Sequence, residues 1–597
     1  MNCPSRPDNI EGHPDWNQNP HDLSSDLTTR ADLNGIVNLR EQRENESSLA
    51  NDQQEQISLV PNDNPESLSA GIKSPPFANV DPIKQESASN ATVTQTPATS
   101  AFQPNHARPF SKSSSKPFLV LDKIITTLRK YLKFVGPGFL IAVAYIDPGN
   151  YATDVEAGAA THFRHLFIIL MSNLFAIFLQ SLCIKLGSVT GLNLAENCRK
   201  HLPRWLTITL YIFAEAAIIA TDIAEVSGSR HQDANNFTLI SCQVIGSAIA
   251  LNLLFHIPLV AGCAITLVDV LVLLLFYRPD GSMVRLRLFE YFVMSLVLGV
   301  MVCFCIQLSY IKDTSVGEVF RGYLPSSAIV EGNGIYLSCG IIGATVMPHS
   351  IFLGSGVVQP RLKQFDQQNG HIPLPEDSDD EEEKYVPSIY AIKACLKYSI
   401  VELATSLFTF ALFINSAILI VSGASLYPKT EATEADLFGI YNLLSENLSK
   451  VAGTLFAIAL LLSGTSAGIV CTMAGQMVSE GMLHWTLRPW VRRLITRAIS
   501  IVPSIIIAGA IGREGLNQAL TASQVCLSVI LPFVTAPLIW FTCRTHVMTV
   551  RTVQGEQSGQ DVNMRNNWLT ATLAVLIWLV LVVMNVALLV LVGLGKA

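Results

Sequence analysis

Residues 134–160 read FVGPGFLIAVAYIDPGNYATDVEAGAA, and the four at the centre, Asp147-Pro148-Gly149-Asn150, decide how the rest of the chain is understood. The run is long and apolar enough to cross a bilayer. Yet a carboxylate near the bilayer centre costs on the order of 2.5–3.5 kcal/mol on insertion scales, and Pro-Gly opens the backbone where lipid offers no hydrogen bonds. Plain anchoring explains neither feature. An unwound turn explains both, because it frees backbone carbonyls beside Asp147 and Asn150. The result is a cluster of oxygens at the end of a half-helix, a place that favours a cation.

The surrounding composition fits a membrane. The 597 residues are 50% hydrophobic and only 15% charged, and the mean hydropathy is +0.38. An ordinary soluble protein of this size is more polar. The formal charge of -7 is concentrated in soluble segments such as Asp377 to Glu383, so it says little about partners, and nucleic acid is not an expected one. Twelve cysteines are scattered singly, without the spacing of a zinc site or a disulfide framework.

Residues 1–116 are rich in Asn, Ser, Gln, Asp and Pro, and are expected to be a disordered cytosolic tail, open to ubiquitin or sorting machinery. The membrane part is expected at 117–597, with no cleavable signal peptide before it. Apolar spans of about 20 residues fall near 134–160, 165–188, 205–226 continuing at 244–255, 257–277 and 286–310, a first unit of five. A second unit follows near 334–358, 393–424, 452–480, 489–511 and 516–542, and an extra helix near 568–594 makes about eleven. The joints carrying Lys185, Arg199, Lys200, Arg204, Arg278, Arg285, Arg287, Arg488, Arg492, Arg493, Arg544 and Arg551 all fall on one side, which the positive-inside rule makes cytosolic together with the N-terminus. The C-terminus is then outside or lumenal. So is the sequon Asn447-Leu448-Ser449, a glycosylation candidate, and residues 432–448 could form an amphipathic external helix.

The sixth span repeats the oddity of the first, with Ala344-Thr345-Val346-Met347-Pro348-His349 placing a breaker among apolar residues. The breaks sit five spans apart. An odd separation sends the two broken helices across the bilayer in opposite directions, as in two five-helix units related by an in-plane pseudo-twofold axis. The expected fold is therefore all-α and polytopic, a 5+5 inverted repeat with helices 1 and 6 unwound at mid-membrane. Asp147 and the Asn150 amide oxygen are hard donors, the Met347 thioether is soft, and a freed Ala344 carbonyl would complete a mixed shell. Such a shell suits a divalent transition metal and disfavours calcium and magnesium, which prefer oxygen alone. Methionine in an apolar helix is usually core filler; Pro348 beside it shifts the reading of Met347 towards a ligand.

IDPGN in the first span and GATVMPH in the sixth resemble the Nramp family of proton-coupled divalent-metal transporters. TDIAE in the third span, AGQMVSEG at 474–481 and SQVCLSVILPF at 523–533 extend the resemblance over most of residues 118–594, and MPHSIFLGS is similar to the fungal manganese and iron branch. Gly354 stands where other branches often carry a second histidine. The resemblance implies a LeuT-type fold and metal ligands at Asp147, Asn150, Met347 and the Ala344 carbonyl, with Gln524 joining as the carrier changes conformation. It implies proton transfer through Asp147 and His349, an imidazole that titrates near neutrality, and through Glu215, Asp222 and Glu225, which share a helix face. Arg497, with Arg492 and Arg493, could receive that path; the last two serve equally well as cytosolic anchors. No resident cofactor is expected, since the metal, manganese or iron, is cargo carried with a proton through the lipid bilayer.

One departure interrupts the third span. Removing residues 226–243 rejoins a clean helix, DIAEVIGSAIALNLLF, and the segment is expected to be a translated, unspliced intron, since Val-Ser can encode a GTAAGT donor and Cys-Gln a TGCCAG acceptor. Asp269 and the acidic run Glu376 to Lys384 carry no decisive signal. Rival readings are a sodium-coupled amino-acid carrier, which would want no thioether, and a metal receptor that binds without transport. An enzyme is not expected, because HExxH and a Walker A loop are both missing from the chain. The expected home is the plasma membrane or an endosomal or vacuolar membrane.

Overall fold

The computed structural model describes residues 136–594, apart from 227–244, 313, 372–384, 429–436 and 551–560 and from most of 259–282 and 484–515. The N-terminal tail, the 226–243 insert past its first residue, the spans near 257–277 and 489–511, Asp269, the acidic run at 376–384 and Arg492, Arg493 and Arg497 therefore lie outside the described residues. So do the side chains of Asp222 and Glu225.

The first half begins with an interrupted span, α1 (Pro137–Val143) and α2 (Pro148–Thr161). It continues with α3 (Leu166–Thr190), the short α4 (Leu194–His201), α5 (Arg204–Val226), α6 (Ile245–Phe255) and α7 (Met283–Ser309). A short α8 (Val316–Arg321) and a 3-10 turn at Ser327–Ile329 lead to the second interrupted span, α9 (Gly334–Thr345) and α10 (Pro348–Gly356). Then come α11 (Gln359–Gln368), α12 (Ile389–Ser406), a π-helical turn at Leu407–Ala411, α13 (Leu412–Leu426), α14 (Leu437–Asn447), α15 (Lys450–Leu483) and α16 (Leu516–Cys543). A two-stranded antiparallel ribbon, β1 (Thr549–Val550) with β2 (Val562–Asn563), precedes α17 (Trp568–Gly593).

Eight helices among the described residues are long and apolar enough to cross a membrane. The interrupted first span and the two spans largely outside the described residues are the other three of the eleven expected. Span ends agree with expectation within a few residues. The sequence reading missed α4, α11 and the π turn, because short amphipathic helices and a one-residue widening of a helix leave the apolar period nearly unchanged.

Proline sets both interruptions. Pro148 and Pro348 each occupy the first turn of the restarted helix, where the missing N–H costs nothing, and neither can donate the bond that would continue the helix before it. Asp147 (φ -119, ψ 168) and Met347 (φ -67, ψ 128) are accordingly extended.

The packing shows the inverted repeat. Exchanging the described spans of the first half with those of the second turns one set of neighbours into the other. α7 packs on α15 as α16 packs on α5; α1 packs on α12 as α9 packs on α3; α2 packs on α13 as α10 packs on α3. The halves of the broken spans also meet crosswise, α2 with α9 and α1 with α10, which requires the two spans to run antiparallel. The start of α1 is fixed by side chains from the second half: Glu402 Oε1 accepts from the amides of Gly136 (2.5 Å) and Gly138 (3.1 Å). Beside it Arg361 donates to Glu290 at 2.6 Å in a fully buried pair. The helix expected within 432–448 appears as α14, with Leu437, Ile440 and Leu444 turned inward.

Candidate metal site at the two helix breaks

The two breaks are brought together at the centre of the bundle. Asp147 caps α2, its Oδ1 accepting from the Asn150 backbone amide at 2.9 Å and from Asn150 Nδ2 at 2.7 Å. Asn150 Nδ2 also donates to the Ala344 carbonyl at 3.1 Å, which ties the first break to the second. Met347 caps α10 without a side-chain hydrogen bond. Asp147, Asn150, Ala344, Met347, His349 and Gln524 are each no more than 1% exposed, so the cluster is buried.

The sequence reading presents the Asn150 oxygen to a metal, and here the arrangement differs. The Asn150 NH2 group faces Asp147 and Ala344, while its Oδ1 lies 3.4 Å from Asn415 Nδ2. An amide NH2 carries partial positive charge, so it satisfies the two acceptors that a cation would otherwise draw on.

Gln524 stands between the breaks. A Cβ built on Gly149 would collide with its side chain, and one on Gly343 would collide with its backbone carbonyl. Only glycine admits α16 this close to both broken spans. Gln524 Nε2 donates to Ser523 Oγ at 3.3 Å.

Buried oxygens without partners converge on these segments: Asp147 Oδ2, Thr345 Oγ1, Asn415 Oδ1 and Gln524 Oε1. Buried polar atoms are normally paired, and a group of bare acceptors fits a cation better than it fits a packed core. Among the described residues neither ion pair, His162 with Glu318 nor Arg361 with Glu290, involves Asp147, so the reading of Asp147 as half of a structural salt bridge has no partner to support it. No group of three or more His, Cys, Asp or Glu among the described residues could hold a metal. The groups at the breaks are one carboxylate with amides, carbonyls and a thioether, a set of donors whose chemistry fits a divalent transition ion.

Of the residues assigned to proton transfer, His349 Nδ1 lies 3.4 Å from Thr221 Oγ1, linking α10 to α5 one residue before Asp222. Glu215, further back on α5, accepts from Ser479 Oγ of α15 at 3.2 Å. The structure thus places His349 against the helix that carries the acids, and Glu215 on a second contact of that helix.

Two groups escaped the sequence reading. Asn415 in α13 donates to the Tyr145 carbonyl, freed at the end of α1, at 3.1 Å. Gln180 in α3 donates to Tyr145 Oη (2.9 Å) and to the carbonyl and Oγ of Ser350 (both 3.0 Å), joining the two breaks a second time. Both are amides inside apolar spans, the signal that picked out Asp147, but neither sits beside a helix breaker.

The family model described as natural resistance-associated macrophage protein-like, Nramp, matches residues 138–231 and 234–591, its match breaking inside the anomalous 226–243 segment. The chain is 51% identical over 505 residues to the manganese transporter SMF1 of Saccharomyces cerevisiae, covering 76% of this chain and 85% of that protein. It is 52% identical over 474 residues to the manganese transporter pdt1 of Schizosaccharomyces pombe (78% and 87% covered) and 49% identical over 440 residues to the S. cerevisiae iron transporter SMF3 (73% and 87%). A crystal structure of the Eremococcus coleocola manganese transporter, in complex with an aromatic bis-isothiourea substituted compound, superposes with a TM-score of 0.60 at 32% identity, over 77% of this chain and 86% of that one. With its repeated packing of the described spans, its paired breaks and a match across nearly all of its membrane region, the chain belongs to the Nramp family.

Proposed function

We propose that this membrane protein is a secondary active symporter that moves Mn2+, Fe2+ and related divalent transition metals into the cytosol together with a proton, by alternating access around the two broken spans. The observation that carries the reading is the buried cluster itself: a single carboxylate with a bare Oδ2, tied through Asn150 to the Ala344 carbonyl of an antiparallel span whose restarted helix begins at Met347.

Binding requires the Asn150 amide to turn. With the NH2 group withdrawn and the oxygen presented, Asp147, Asn150, the Ala344 carbonyl and Met347 become acceptors for one ion, and Gln524 Oε1 stands ready on α16. The metal's own charge supplies the attraction; the residues supply shape and softness. Because a proton and a metal share the field of Asp147, occupancy by one alters the affinity for the other, which is the physical basis of coupling. His349 and Glu215, with Asp222 and Glu225, form the proposed route for that proton, with Arg497 at its far end.

The location follows as part of the same proposal: plasma membrane or an endosomal or vacuolar membrane, N-terminus cytosolic, C-terminus outside or lumenal, Asn447 glycosylated and the tail read by sorting machinery. A receptor that binds metal without flux is the competing reading. Uptake of labelled manganese into proteoliposomes, across an imposed pH gradient and against competing calcium, tests substrate and coupling together. Concentrative uptake that tracks the gradient is expected; saturable binding with no net entry would replace the transporter with the receptor.

A further inference from the structure

The last helix, α17, looks at first like a lipid-facing addition to the repeat. Its buried residues form one stripe, Ala574, Ile577, Leu581, Asn585 and Leu588, and the polar member of that stripe is Asn585. Asn585 Nδ2 donates to the Ser528 carbonyl of α16 at 3.0 Å and to the Leu581 carbonyl of its own helix at 2.8 Å. Two turns earlier on α17, Trp578 Nε1 donates to the Pro532 carbonyl at 2.8 Å.

The choice of acceptor is informative. In an α-helix the Ser528 carbonyl takes its bond from the amide of residue 532, and residue 532 is a proline inside α16. Asn585 therefore donates to the one carbonyl that Pro532 cannot serve. Ser528 is also a single turn beyond Gln524, and its backbone nitrogen, with the Gln524 carbonyl, forms the surface against which Gly343 of α9 is pressed. Cys339 Sγ of α9 approaches the Met584 carbonyl of α17 at 3.8 Å, so the three helices meet at this level.

We propose that Asn585 is a positioning residue for metal transport: its amide replaces the hydrogen bond missing at Pro532 and so holds the Gln524-bearing turn of α16 against the two breaks. The proposal rests on the metal-transport reading of that site. The eleventh helix is then part of the site's framework.

The test is a double-mutant cycle in purified protein, with Asn585→Leu, Pro532→Ala and the two combined, reading labelled manganese uptake in proteoliposomes and thermal unfolding in detergent. Leucine keeps the volume and removes the donor; alanine at 532 restores a backbone N–H to Ser528. Asn585→Leu is expected to raise the half-saturating manganese concentration about tenfold, the scale of one buried acceptor left unpaired, with the maximal rate kept within about twofold. In the Pro532→Ala background the same substitution should have almost no effect. If Asn585→Leu alone fails to reach the membrane, the combined variant should reach it. An equal shift in both backgrounds, or none in either, overturns the proposal. Thermal unfolding separates the two readings: coupling between 532 and 585 in a wild type that carries no manganese supports the contact and removes only the transport reading, whereas transport without coupling removes the contact's role.

Discussion

At the first break the residue before the proline is Asp147, which bonds Asn150 with its own carboxylate; at the second it is Met347, whose side chain gives α10 no such cap. The backbone solution is the same in both, an extended residue followed by proline in the first turn of a new helix. The side chains differ in kind. Asp147 commits Oδ1 to holding α2 and keeps Oδ2 bare, and the amide end of α2 favours its negative charge. Met347 has no structural duty visible at the cap and keeps its whole thioether. Pseudo-symmetry thus builds one break twice, and the residue at the cap makes one half hard and charged, the other soft and neutral. Affinity for any doubly charged ion should follow the first, and discrimination among such ions the second.

The sharpest way to break that division is Asp147→Ala. Manganese uptake should fall by at least about a hundredfold, the upper end of what even outer-shell partners cost a metal site, in radiolabel assays corrected for protein at the membrane. Robust uptake by that variant would remove the carboxylate from the site. Asn415→Ala tests whether the first break depends on its supporting amide, which holds the Tyr145 carbonyl and the Asn150 oxygen. A rise of about tenfold in half-saturating manganese is expected; an unchanged value would make Asn415 a packing residue. Met347→Ala should have the smallest effect on manganese itself, within a few-fold, while calcium becomes a better competitor. Unchanged discrimination against calcium in competition uptake would leave the thioether without its assigned role, and the two breaks would then be alike in function.

How far the chain could be read depended on how local each cause was. The two breaks, their separation by five spans and the residues at each cap were legible because a proline acts through its own missing N–H, whatever surrounds it. Helix α14 was legible for a similar reason: Leu437, Ile440 and Leu444 recur with a helical period. Asn415 was not, although it is an amide within the run FALFINSAIL, because what distinguishes it is a carbonyl 270 residues earlier in the chain.

The sequence by itself determined that the chain crosses a membrane many times, where two of those crossings are interrupted, and that a carboxylate and a thioether stand at the interruptions. Those are consequences of side-chain polarity and backbone covalency. Only the tertiary structure decided that the Asn150 amide offers its NH2 group to Asp147 and Ala344, that Gln524 fits between Gly149 and Gly343, and that a helix outside the repeat completes the bonding of α16. Each depends on hydrogen-bonding groups carried on different helices, and their geometry exists only once the helices have packed.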